Sequence, residues 1–475
     1  MQIFKKNRDH LAKTISDGVI IMHGGVIKYR NADTWYPFRQ DSNFHYLTGW
    51  PEPDAHAVIT IENGNHQMFL FVLDKNEEME TWDGKRIGIK GAEEEFGATR
   101  AYPAQQFKDT VVEIIGDKFE NIYIDYSSPL FTELDQEYLR KISRYPQRGA
   151  EFSNANLHSL LPVISEMRLI KKEEEISLLT KACEITSKGH MKAMSLAKPG
   201  LYEYQVAAEL EKVFFDLGSE RLGYPSIVAG GDNACTLHYS TNRDLLEEES
   251  LLLIDAGAEY NMYSADVTRT FPVSGKFSPP QAAIYNEVLK AQELGISLVK
   301  EESTVKEIHT KTIESISKSL IDLKLVPMGI EDTIGMMHYF EFFMHGTGHW
   351  LGLDVHDAGS VEENGVSRKL KKGMVTTIEP GIYVRPYKPV VEFPLLERDP
   401  TLIKERRDKI GIEEASKIEE REIKEAKKIS HKIPEELLGI GVRIEDDILC
   451  TDDTPVNLTE SAVKEIQDIE ELCNS

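Results

Sequence analysis

The sequence predicts a two-domain α/β protein, and three observations carry that prediction. At 475 residues the chain is too long for one ordinary core. Its first third alternates short β-branched or aromatic runs with a helical stretch, and its remainder interleaves long amphipathic helices with apolar strands. Hydrophobic residues at 41% against 28% charged describe a globular chain rather than a disordered one.

Taken in order, Gly18-Val-Ile-Ile-Met-His, Ala57-Val-Ile-Thr-Ile, Met68-Phe-Leu-Phe-Val-Leu and Ile122-Tyr-Ile-Asp-Tyr read as strands, each bounded by polar or glycine punctuation. Ala104 to Ile115 reads as a helix. The charged stretch Lys171-Lys-Glu-Glu-Glu follows Ile164-Ser-Glu-Met-Arg-Leu-Ile and places the domain boundary near 160–170, giving domains 1–165 and 166–475. Beyond it, helices are expected at about 172–197, 203–217, 278–300 and 304–323, with strands at Leu251-Leu-Leu-Ile-Asp and Val375-Thr-Thr-Ile-Glu. From about 387 to 436 the chain is rich in Lys, Arg and Glu. Glu413/Lys417 and Glu420/Lys424 sit four apart, the favourable helical order, while Ala415, Ile418, Ala426 and Ile429 give only a thin apolar stripe. A solvated helical insertion is the reading that pattern favours, with an oligomer contact or a site rim as the sharper alternative.

A formal net charge of −25 repels phosphate backbones and anionic lipid, which argues against nucleic-acid and membrane partners. Cys183, Cys235, Cys450 and Cys473 lack the paired spacing of a zinc ribbon or a disulfide framework, and a reducing compartment is the simpler expectation. The first ten residues lack the apolar stretch of a secretory signal. No apolar run approaches the ~20 residues a bilayer requires, so a cytoplasmic location is expected.

Four blocks contain residues suited to chemistry. In Ile254-Asp-Ala-Gly-Ala-Glu-Tyr and Ser264-Ala-Asp-Val-Thr-Arg, Asp255 ends an apolar strand and Asp266 precedes a second one. Gly257, Tyr260 and Asn261 between them suit a hairpin that sets the carboxylates side by side. One such aspartate fits a loop cap as well as a ligand; two at this spacing shift the balance toward a ligand pair. Met344-His-Gly-Thr-Gly-His-Trp-Leu-Gly-Leu-Asp-Val-His places His345, His349 and His356 among glycines that disfavour a helix interior. The helical zinc-protease pattern is excluded, because glycine follows the first histidine. In Thr376-Thr-Ile-Glu-Pro-Gly, Glu379 again ends an apolar strand before a turn. In Gly441-Val-Arg-Ile-Glu-Asp-Asp, Arg443 and Glu445 share one face of a strand, and the arginine helps keep the carboxylate ionised.

Four carboxylates in one pocket would take up protons unless cations neutralised them. Two divalent ions balance that charge. Oxygen-rich coordination with one imidazole suits manganese, and also cobalt, iron or zinc. The chemistry that follows is metal-assisted hydrolysis. No phosphate loop and no Gly-x-Ser-x-Gly nucleophile elbow is present.

In this order, the four blocks resemble the aminopeptidase P and prolidase branch of the pita-bread metallopeptidases. Arg30-Asn-Ala-Asp-Thr-Trp-Tyr-Pro-Phe-Arg-Gln-Asp-Ser-Asn-Phe-His-Tyr-Leu-Thr-Gly resembles the family's N-terminal signature. The resemblance implies a creatinase/prolidase-type α/β domain followed by a pita-bread catalytic domain. It implies that Asp255 binds one metal ion, that His349 and Glu379 bind the other, and that Asp266 and Glu445 bridge the pair. Glu379 would also accept the proton of the attacking water. His238, His345 and His356 would assist on the substrate side, with Tyr383 and Arg443 beside the bound substrate. The implied substrates are peptides with proline in second position, whose Xaa-Pro bond is a tertiary amide without an N–H. A dipeptidase restricted to Xaa-Pro, and a non-catalytic peptide-binding module, are the competing readings. The long insertion matches some prolidases, whereas Pro455-Val-Asn-Leu-Thr-Glu-Ser and the N-terminal signature look more like aminopeptidase P. The resemblance further implies a homodimer or homotetramer, with Trp82 similar to a tryptophan that reaches a neighbouring subunit. His338 has no counterpart in it and is expected to be structural.

Overall fold

In the computed structural model, which describes residues 2–15, 17–115, 118–126 and 156–475, the chain divides between Arg168 and Leu169. Residues 127–155, the end of the stretch read as alternating α/β, lie outside the described residues.

The first unit is organised around the strand Gly18–His23, buried along nearly its whole length. It lies between an antiparallel partner, His56–Glu62, and a parallel one, Asn121–Ile124. The sheet continues through Asn65–Val72 to Arg100–Pro103 on one side and to Asn156–Ser159 on the other. A strand covered on both faces reads as an unbroken apolar run, which is what Val19-Ile-Ile-Met22 shows. Phe107, Val111 and Ile115 recur every fourth residue along the helix Phe107–Ile115 and pack on Val19, Ile21, Val58 and Phe71. The helix Ser42–Thr48 starts where Asp41 accepts the Phe44 N–H at 2.8 Å and stops at Gly49, whose φ of 68° is left-handed. Asn7 and Arg8 of the helix Gln2–Ile15 donate to the Tyr46 and Leu47 carbonyls at 2.7 and 2.6 Å, satisfying the last turn of Ser42–Thr48.

The second unit is built from short antiparallel ribbons. Leu251–Ala256 lies between Ile227–Gly230 and Val267–Pro272, and Asp446–Leu449 lies between Val375–Ile378 and Val456–Asn457. Gly381–Tyr383 pairs with Gly441–Arg443, and a bridge between Thr268 and Glu445 joins the two halves. The helices Glu173–Leu196, Glu203–Asp216, Pro279–Ser297 and Val305–Asp322 accompany these ribbons. The core includes Leu210, Phe214, Ile254, Phe271, Ile284 and Leu320. Local chemistry sets their starts: Ser278 and Gln281 form a capping box across two intervening prolines, and Thr304 accepts the Glu307 N–H at 3.1 Å.

Where the halves meet, Arg269 is fully buried against Asp446 at 2.6 Å. Its remaining donors reach the Thr268, Glu445 and Ala462 carbonyls. Asp446 also accepts from Gln292, Thr459 and Lys464, each at 2.8 Å. Burial pushes its carboxyl up, but Arg269 and Lys464 hold it below the ordinary range.

The insertion differs from its sequence reading. Its helices Pro400–Ile410 and Ile412–Glu425 exist and are tied by Arg406–Glu422 and Arg407–Glu419 contacts of 2.8 and 2.9 Å. They stand, however, on a two-stranded ribbon in which Val390–Pro394 pairs with Lys428–Lys432. Val391 and Phe393 point into the core, whereas Lys428-Ile-Ser-His-Lys is almost wholly polar and gives no strand pattern. His338 is buried and meets the Pro394 carbonyl at 2.7 Å. Trp82, on the helix Glu77–Asp83, is 81% exposed.

Two expectations follow from these buried charges. Arg269→Met strips Asp446 of its guanidinium and should cost about 3–5 kcal/mol in urea unfolding, whereas a loss below about 1 kcal/mol would show that Lys464 alone compensates. His190 is fully buried, donates to the Ala256 carbonyl at 3.1 Å, and burial lowers its pKa from 6.5 to about 4. The unfolded chain therefore protonates this ring first as pH falls. Stability from this residue is complete above 6.5 and should decline by about 3 kcal/mol down to about 4. Unfolding free energies of wild type and His190→Gln across that window check the slope, which the substitution should flatten.

Candidate active site

Nine of the ten sequence-predicted site residues line one cavity of about 520 Å³: Asp255, Asp266, His238, His345, His349, His356, Glu379, Arg443 and Glu445. Tyr383 lies just behind it, bonded to His345 and Arg443. Asp255 comes from the end of Leu251–Ala256, paired across the ladder with Thr268. Asp266 immediately precedes Val267–Pro272, after a tight turn in which Asn261 and Met262 take left-handed φ of 48° and 73°. Glu379 follows Val375–Ile378, and Glu445 lies between Gly441–Arg443 and Asp446–Leu449. Residues at strand ends are held by ladders on both sides yet project past them, which is the geometry a ligand set requires.

Two glycines make the approach possible. A Cβ on Gly257 would stand 1.8 Å from the Ala265 carbonyl oxygen, and one on Gly348 equally close to that of Thr377. The glycine-bearing loop therefore lies flat against Val375–Ile378. Thr377 N–H donates to His349 O at 2.9 Å and Glu379 N–H to Thr347 O at 2.8 Å, so the histidine and the glutamate are positioned by one set of bonds.

Ligand-type atoms of Asp266, His349 and Glu445 all lie within 4.8 Å of one another. His349 Nε2 is 3.3 Å from Asp266 and 3.8 Å from Glu379. Its Nδ1 donates to the Trp350 carbonyl at 3.0 Å, which turns Nε2 toward the carboxylates. Burial alone would lower the His349 pKa, but its bond to Asp266 and the charges of Asp266 and Glu379 push it up to about 9. Burial raises Glu379 to about 7 against the opposing pull of His349 and Arg443. Asp255 is raised by burial, and Glu445 is pushed well up by burial together with Asp266 and Glu379. A pocket whose own acids resist ionisation is one whose negative charge calls for cations.

On the other wall, His345 Nδ1 donates to the Gly346 carbonyl at 2.8 Å, so its Nε2 accepts from the Tyr383 hydroxyl at 2.9 Å. That hydroxyl accepts in turn from Arg443 Nη1 at 3.0 Å, while Arg443 Nη2 contacts Asp255 at 2.5 Å. Burial and the neighbouring guanidinium lower His345 to about 3, so it is a neutral ring with a fixed tautomer. His356 stacks edge-on to His349 with centroids 4.3 Å apart, and burial lowers its pKa as well.

Three contributors escape sequence reasoning. The Tyr224 hydroxyl sits 2.5 Å from both Asp255 and Asp266. Thr268 donates to Glu445 at 2.6 Å, and Asp447 accepts the Asp266 N–H at 3.0 Å. Only Thr268 left a trace, since it shares a strand face with Asp266 by period two. Tyr224 and Asp447 meet their partners through tertiary register alone.

Residues 177–452 match the model of metallopeptidase family M24, and residues 4–123 match that of the aminopeptidase P N-terminal domain. The chain belongs to the M24 metallopeptidases, pairing their pita-bread domain with an aminopeptidase P N-terminal domain. It is 35% identical to the Xaa-Pro aminopeptidase of Haemophilus influenzae over 475 residues, covering 99% of this chain and 97% of that one. The Xaa-Pro aminopeptidase of Escherichia coli is 33% identical at the same coverage. Among solved structures, proline aminopeptidase P II from Yersinia pestis superposes with a TM-score of 0.85 at 32% identity, covering 100% of this chain and 99% of the other. Aminopeptidase P from Escherichia coli with the inhibitor Pro-Leu gives 0.86 at 32%, covering 100% and 98%. Family membership implies divalent metal ions, and the oxygen-rich donor set with one oriented imidazole fits them. No helix among the described residues is long and apolar enough to cross a membrane.

Gly348→Ala tests the loop geometry. Its methyl group must displace the Thr377 carbonyl, at a cost of about 1–3 kcal/mol. Metal content after dialysis against manganese should fall well below that of wild type; full occupancy would show that the loop adapts.

Proposed function

We propose that this chain is an Xaa-Pro aminopeptidase that hydrolyses the bond preceding a second-position proline and releases the N-terminal residue. One observation carries the reading. Five metal-ligand-type side chains and three histidines line a single cavity, in a chain similar to Xaa-Pro aminopeptidases across both of its domains.

Asp255 would hold one ion, His349 and Glu379 the other, with Asp266 and Glu445 shared between them. Manganese is the ion proposed. Two such ions, when bound, would supply the positive charge that activates water and polarises the substrate carbonyl. Glu379, at the cavity wall, takes the proton from the attacking water. His356 and His238 face the substrate carbonyl and stabilise the charge that develops on its oxygen. His345 is kept neutral and oriented through Tyr383, so it offers an apolar ring edge to the proline side rather than a second positive charge. Arg443 balances Asp255 and anchors Tyr383. The proposed catalytic domain is 166–475, and the domain 1–165 is proposed to serve oligomerisation into a homodimer or homotetramer. A cytoplasmic location completes the reading.

Manganese-loaded protein should release only arginine from Arg-Pro-Pro and leave Ala-Ala-Ala intact. Cleavage of Gly-Pro but not of the tripeptide would identify a dipeptidase instead. Glu379→Gln should lower kcat by about 10²–10⁴-fold, the range of a lost general base. Asp266→Ala and Glu445→Ala should lose metal, while His356→Ala should keep it and lose turnover. Equal metal content across these three variants would contradict that division of roles.

A further inference from the structure

Glu203 is fully buried at the first position of the helix Glu203–Asp216, far in sequence from every residue of the site. Its carboxylate is saturated by one segment of chain. Oε1 accepts from the Gly230 N–H at 2.8 Å and the Asn233 side chain at 2.9 Å. Oε2 accepts from the Tyr239 hydroxyl at 2.7 Å and the Asp244 N–H at 3.0 Å. All four donors lie between residues 230 and 244, and that segment carries His238.

The segment has little structure of its own. After the short turn Gly231–Cys235 it contains no strand or helix before Leu245 bridges to Tyr202. Leu237, His238 and Ser240 line the cavity, whereas Tyr239 between them sends its hydroxyl to Glu203. Asn242 adds a second tie, accepting the Val228 N–H at 3.0 Å and donating to the Ser226 carbonyl at 2.7 Å. A buried carboxylate lacking these donors would be costly, so the loop and the acid specify each other.

We propose that Glu203 is the positioning residue that holds the His238 loop against the site. It touches neither substrate nor metal ligand, and its influence passes through the loop. The catalytic part of this inference rests on His238 facing the substrate, as proposed above. Replacing the carboxylate with an amide presents an N–H₂ to two donors and breaks the cradle without changing its volume.

The test uses manganese-loaded holoenzyme. Glu203→Gln should retain wild-type metal content and lose about 10- to 100-fold in kcat/KM on Arg-Pro-Pro, the scale of a catalytic group displaced by about an ångström. Combined with His238→Ala it should add nothing to the loss that His238→Ala causes alone, because the two act through one position. Hydrogen exchange of amides 233–244 should accelerate while that of Leu251–Ala256 does not. Multiplicative losses in the double variant, or unaltered exchange in 233–244, overturn the proposal. If His238→Ala itself keeps full activity, the assignment of His238 falls, and the exchange measurement alone decides Glu203. Should Glu203→Gln fail to fold, Tyr239→Phe removes one donor of the four and should move both readouts in the same direction.

Discussion

The site depends on one buried ion pair, Arg269 with Asp446, that lies outside its cavity. Alternation along a strand sends neighbours to opposite faces. Asp266 therefore looks into the cavity with Thr268 behind it on the same face while Arg269 looks away, and Glu445 looks in while Asp446 looks away. Locking Arg269 to Asp446 across 177 residues of sequence fixes the register in which Thr268 reaches Glu445 at 2.6 Å. A slip of one residue would send both carboxylates into the core. Such a pair adds little net stability over a well-packed apolar one, because desolvation offsets the attraction. Its value here is the register it enforces.

With the strands fixed, the electrostatics follow. Four carboxylates are brought together, and burial raises Asp255, Glu379 and Glu445. Among the described residues that line the cavity, only Arg443 offers them a permanent positive charge. The histidines divide by their second nitrogen. His349 gives its Nδ1 proton to a carbonyl and turns its Nε2 toward the acids, whereas His345 turns a lone pair to the Tyr383 hydroxyl. Two rings four residues apart on one loop thus receive opposite tasks from a single hydrogen bond each.

Much of this was legible in the sequence, and the reason is local. Asp255 and Glu379 each end an apolar run, and the His345–His349 loop announces itself by glycines at a density no helix tolerates. Gly348 and Gly257 are also the positions where a Cβ would meet a backbone oxygen. What stayed hidden depends on partners distant in sequence. Tyr224 precedes a proline in an ordinary-looking turn, and nothing near it signals that its hydroxyl spans two aspartates. Asp447 is, by sequence, one more acid beside Glu445 and Asp446. The ribbon under the insertion was hidden for a different reason: Lys428–Lys432 gains its strand conformation from Val390–Pro394 and not from its own composition.

The two walls of the cavity are built by different means, and the difference suits their tasks. The proposed metal ligands stand at strand ends or on a loop zipped to a strand, where ladder bonds leave little freedom. Charge-dense groups need that rigidity, since a small displacement changes their mutual repulsion steeply at short range. The His238 wall is instead a loop tied down at a few points by Glu203 and Asn242. A loop restrained at points would, on the proposed role of His238, be able to shift slightly as different side chains precede the proline and still keep its histidine within reach of the same carbonyl. Rigid strands for the chemistry and a tethered loop for the peptide would let one cavity accept many N-terminal residues without loosening the part that must not move.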